Sequence, residues 1–125
     1  MQVNGRDRQA EKYLQTSRVF LRQADKELEA GDLRQASEKA WGAAAQAVKA
    51  IAEQRGWEYY THAHLFQHVD QFSAELDSAE LGRLFRSANS LHINFYEGDQ
   101  TESAVRGGIE DVRLFISRLD AIFAR

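Results

Sequence analysis

The stretch Leu33-Arg-Gln-Ala-Ser-Glu-Lys-Ala-Trp-Gly-Ala-Ala-Ala-Gln-Ala-Val-Lys-Ala-Ile-Ala-Glu-Gln-Arg55 carries the pattern from which the fold follows. Leu33, Ala36, Ala40, Ala44, Ala47, Val48 and Ile51 recur mostly at steps of three and four, so a helix over 33–55 gathers them on one stripe. The stripe is built largely of alanine. Small side chains let a neighbouring helix approach closely, which makes this the central helix of a bundle. Asp32 is placed to cap its start, Gly31 to end the helix before it, and Gly56 to end this one. Trp41 lies at the edge of the stripe and reads as a packing residue rather than as a platform for a cofactor.

Working outward, a first helix over about Asp7 to Ala30 has Tyr13, Leu14, Phe20, Leu21, Ala24 and Leu28 as its apolar side, with residues 1–6 frayed. The connection at Gly31-Asp32 is so short that the first two helices form an antiparallel hairpin. Downstream, Trp57-Glu-Tyr-Tyr-Thr61 is an aromatic connection, and Thr61 caps a short helix reaching about Phe72, with Leu65, Val69 and Phe72 buried. A fourth helix runs over 81–97. Asp77 with Glu80 gives it a capping-box-like start, Gly98 stops it, and Leu81, Leu84, Phe85, Ala88, Leu91 and Phe95 form its stripe.

Asp99 or Thr101 then caps a last helix, whose Val105, Ile109, Val112, Ile116, Leu119 and Phe123 make a heptad-like seam. Gly107 and Gly108 cost it about 1 kcal/mol each against alanine, so this start is either loose or closely packed. Leu114, Phe115 and Ile122 widen the apolar surface, which suits both bundle core and dimer contact. The expectation is an all-α antiparallel bundle of four to five helices, one domain over 7–124.

Composition agrees. The 125 residues include no proline, which sheet proteins use alongside glycine to punctuate turns. A net charge of −3 argues against a general nucleic-acid coating protein, though not against a small basic site, and no DNA ligand is expected. With no cysteine there is neither a disulfide nor a thiolate zinc site. No apolar signal core and no membrane-length run is present, so the reading is a cytoplasmic protein. Phosphate loops, dinucleotide fingerprints, zinc-protease helices and nucleophile elbows are missing, and no cofactor is implied.

Four histidines remain. His64 and His68 are four apart and could chelate a metal from one helix face. A site needs a third ligand in register; Asp70 is off that face and His62 is near the start of the helix, so no metal site is assigned. His92 falls within the apolar stripe of the fourth helix, with Asn89 and Tyr96 one turn away on either side. As a core histidine it would hydrogen-bond Asn89 or Tyr96. Arg86 is six residues before it, about 120° round the axis and about 9 Å along it, so one straight helix cannot aim both at one point. A joint role requires a bend or a second copy of the helix.

This order of helices resembles the HEPN superfamily (higher eukaryotes and prokaryotes nucleotide-binding), and within it the small PaREP-type proteins. The likeness rests on residues 33–49, on Arg55-Gly-Trp, on Thr61-His-Ala-His-Leu65 and on Leu84-Phe-Arg-Ser-Ala-Asn-Ser-Leu-His-Ile-Asn-Phe-Tyr96, and spans roughly residues 20–120. It implies an up-and-down bundle of HEPN type. Active HEPN proteins carry an arginine, four to six residues, then a histidine; Arg86 and His92 match with five between. The resemblance then implies metal-independent RNA cleavage at a site shared by two protomers, in a toxin-like or RNA-processing role. His92 would move protons to and from the ribose 2′-OH and the leaving oxygen, Arg86 would stabilise the charged phosphorane, and Asn89 and Tyr96 would position the substrate. Ser87 departs from the asparagine, aspartate or histidine that often follows the arginine.

Two readings therefore compete. One is a homodimeric ribonuclease with His92 open to a cleft. The other is a non-catalytic module that binds a nucleotide or a protein partner, with His92 walled in by Phe85, Leu91 and Phe95.

Overall fold

The computed structural model describes residues 5–123, which form five helices: α1 (Gly5–Glu29), α2 (Leu33–Arg55), α3 (His62–Leu76), α4 (Glu80–Glu97) and α5 (Glu102–Phe123). No strand occurs among the described residues, so the fold is an all-α bundle. α2 packs against each of the other four helices, and α4 also packs against α3 and α5. The central position follows from its composition. Ala36, Ala40, Ala43, Ala44, Ala47, Ala50 and Ala52 are all buried, which spreads the close-packed surface round most of the helix. Into this scaffold the aromatic and branched residues insert. Phe72, Phe85 and Phe115 are fully buried, each contributing roughly 1.5–3 kcal/mol relative to exposure.

The helix ends are chemically specific. Asp32 accepts the Gln35 N–H at 3.0 Å to cap α2, and Gly56 closes that helix at φ +71°. Thr61 accepts the His64 N–H at 3.0 Å for α3, and Thr101 accepts the Ala104 N–H at 3.1 Å for α5. Between α4 and α5, Gly98 adopts φ +66°, and its N–H donates to the Asn94 carbonyl at 2.8 Å. A Cβ there would collide with the Arg34 guanidinium, which donates to the Tyr96 carbonyl at 3.2 Å.

Several boundaries differ from those read in the sequence. α1 begins at Gly5 rather than Asp7, while residues 1–4 of the expected frayed segment, and the domain end at 124, lie outside the described residues. α3 continues four residues past Phe72 to Leu76. Asp77 does not open α4. It sits in the left-handed region at φ +48° as the C-cap of α3, and α4 starts after Ala79 with no side-chain cap. Asn94, not Phe95, completes the buried stripe of α4. It does so because both ends of its amide are hydrogen-bonded: Asn94 Nδ2 donates to Ser37 Oγ at 3.0 Å, and its Oδ1 accepts the Gln100 N–H at 2.9 Å. This buried polar link locks the end of α4 onto α2 and fixes the height at which His92 meets it.

Candidate functional site

Set by that link, His92 faces α2. Its Nδ1 lies 2.8 Å from Glu38 Oε1, and its ring stacks on Trp41 with centroids 5.2 Å apart and planes 29° apart. A carboxylate only accepts, so Nδ1 donates and carries the hydrogen; Nε2 has no hydrogen-bond partner among the described residues. The side chain keeps 22% of its surface exposed. It borders a cavity of about 290 Å³ whose other walls are Phe20, Gln35, Glu38, Lys39, Trp41 and Gly42. Phe85 and Leu91 are buried beneath, but they do not seal the imidazole.

Two more rings complete the surroundings. His62, the exposed first residue of α3, meets the His92 ring edge-to-face at 5.2 Å and Trp41 at 5.1 Å. Tyr96 also meets His92 edge-to-face, at 5.4 Å. The hydrogen bond expected from Asn89 or Tyr96 therefore goes instead to Glu38: Tyr96 presents its ring, and Asn89 is half-buried one turn back. Arg86 is exposed and makes no ion pair or hydrogen bond among the described residues. α4 is one unbroken helix, so within the chain Arg86 and His92 do not converge. The outward side of α4 also carries Ile93, 52% exposed, and Tyr96, 66% exposed, large apolar surfaces beside the His92 cavity.

Glu38 and His62 did not stand out in the sequence as site residues. Glu38 resembles an ordinary solvent-facing glutamate, and His62 the loose start of a short helix. Only the three-residue step from Glu38 to Trp41, which puts both on one face of α2, hinted at the association.

The larger cavity, about 450 Å³, lies elsewhere, between Trp57, Glu58, His64, Gln67, His68 and Gln71. There the imidazoles are already engaged. His64 Nδ1 accepts the Tyr60 N–H at 3.2 Å and its Nε2 faces the Glu58 carboxylate at 3.5 Å, while His68 Nε2 bonds the Glu58 carbonyl. They fasten the aromatic connection to α3. Among the described residues no three metal-ligating side chains gather at one point. In the smaller cavity the imidazole of His92 is held at Nδ1 by a carboxylate and has no hydrogen bond at Nε2 among the described residues, the pairing that suits a proton-transfer group, so chemistry is better placed there.

A family model, the archaeal PaREP1/PaREP8 family, matches residues 12–116. The chain belongs to that family. It is similar to a Sulfolobus solfataricus protein of known crystal structure, with 27% identity over 86% of this chain and 96% of the other, and a TM-score of 0.74. No curated protein matches the chain. Among the described residues no helix is long and apolar enough to cross a membrane.

Proposed function

We propose that this PaREP1/PaREP8-family chain is a single-domain HEPN-type protein acting as a cytoplasmic homodimer, a metal-independent endoribonuclease in which Arg86 and His92 work together. The observation that carries the reading is the partly exposed His92, anchored through Nδ1 by Glu38 with Nε2 left unpartnered beside a cavity. A histidine serving only the core would spend its polar atoms inside. Here the free nitrogen is placed to take the proton of a ribose 2′-OH. The oxygen attacks the adjacent phosphorus, leaving a cyclic phosphate and a 5′-OH product. Arg86 supplies the guanidinium that stabilises charge on the phosphorane oxygens. Because one helix cannot bring both residues together, the site draws on a second copy. The exposed Ile93 and Tyr96 beside His92 support that pairing, with Tyr96 and Asn89 positioning the RNA.

A second reading, a non-catalytic module for a nucleotide or a protein partner, is favoured by the isolation of Arg86 from His92 within the chain. RNA cleavage in the presence of a chelator separates the two. Cutting that persists without metal and falls at least about 10²-fold in both Arg86→Ala and His92→Ala supports the enzyme. Unchanged cutting in His92→Ala contradicts it.

A further inference from the structure

Resting on the ribonuclease reading, we infer that His62 is a second proton-transfer residue of the site, the general acid that protonates the leaving 5′-oxygen while His92 acts as base. An in-line displacement at phosphorus puts the attacking and departing oxygens on opposite sides. A single imidazole serving both must reorient between them, whereas two imidazoles need not. The chain supplies two at one place. His62 and His92 meet edge-to-face at 5.2 Å, and both lie against Trp41, so the three rings form a triangle with sides of 5.1 to 5.2 Å.

Their surroundings divide the roles. His92 is half-buried, flat against the indole, and its Nδ1–H is held by Glu38, which leaves an unshared pair on Nε2 to accept a proton. Glu38 is thereby a positioning residue. His62 is exposed, makes no ion pair or hydrogen bond among the described residues, and is free to exchange its proton with solvent between turnovers. The titratable groups facing the pair are Glu38 and Lys39 on α2 and Tyr96 on α4.

The step balances. His92 Nε2 receives the 2′-OH proton, the 2′-oxygen forms a bond to phosphorus, and the bond from phosphorus to the 5′-oxygen breaks. His62 gives its proton to that oxygen, and exchange with water restores both rings.

The test compares the full-length parent, His62→Gln and His92→Ala on two oligoribonucleotides. One has an ordinary phosphodiester; the other has sulfur in place of the bridging 5′-oxygen, a leaving group that needs no proton. His62→Gln is expected to lose about 10²-fold or more on the ordinary strand and to come within several-fold of the parent on the sulfur strand. His92→Ala is expected to stay impaired on both. An unchanged rate on the ordinary strand in His62→Gln overturns this inference and leaves the His92 reading intact. So does an equal loss on both strands, which marks His62 as a structural support. Absence of cutting by the parent overturns the ribonuclease reading and this inference together.

Discussion

A phenol on the aromatic connection shows how single residues hold this bundle. Tyr59 gives its hydrogen to Glu53 Oε2 at 2.9 Å, and its hydroxyl shares a hydrogen bond of 3.0 Å with that of Tyr13, joining the connection to α2 and α1. The Tyr13 hydrogen bond, then burial and the Glu53 carboxylate, hold the Tyr59 phenol well above the usual tyrosine range. In the unfolded chain Tyr59 ionises near pH 10, before it does in the folded one, so the folded state binds more protons there. Its contribution is complete below about pH 10 and is lost as the pH rises towards ionisation of the folded phenol. Urea midpoints should therefore decline above about pH 10 in the parent. Tyr59→Phe should be lower at neutral pH by about 1–2 kcal/mol and should decline less steeply in alkali. Parallel alkaline curves for the two proteins would contradict the assignment.

At the scale of elements, the adjacent glycines of α5 make opposite predictions. A Cβ at Gly107 meets nothing within 4 Å, whereas one at Gly108 would lie 2.8 Å from Leu91 Cδ2 on α4. Gly107→Ala should stabilise the protein by up to about 1 kcal/mol, and Gly108→Ala should destabilise it by about 1–3 kcal/mol, read from denaturant midpoints. A gain for both would mean that α5 is not seated closely on α4. The sequence left this choice open between a loose and a close-packed start, because local propensity says nothing about what lies across a helix. The same division runs through the fold. The alanine stripe and the caps at Asp32, Thr61 and Thr101 are local signals, and the bounds of α2 were legible to the residue. The start of α4 was not. Asp77 looks like a cap from either side, and the turn gave it to the end of α3. Nor was the partner of His92 legible, since Glu38 is 54 positions away and only tertiary packing brings it near. Asn94 was hidden likewise: an asparagine joins an apolar stripe only when Ser37 and Gln100 satisfy its amide.

For the molecule as a whole, the central claim is that one open imidazole works with an arginine from another copy. His92 and Arg86 occupy different sides of an unbroken α4, and the apolar Ile93 and Tyr96 lie beside them on its outward surface. Mixing two inactive variants, Arg86→Ala and His92→Ala, tests this most directly. Where the site takes its arginine from one protomer and its histidine from the other, a mixed dimer rebuilds one complete site. The account predicts that chelator-insensitive RNA cleavage, absent from each variant alone, returns on mixing to about a quarter of the parent rate, because half of the dimers are mixed and each has one of two sites. No recovery, with subunit exchange verified by differently tagged chains, would contradict it.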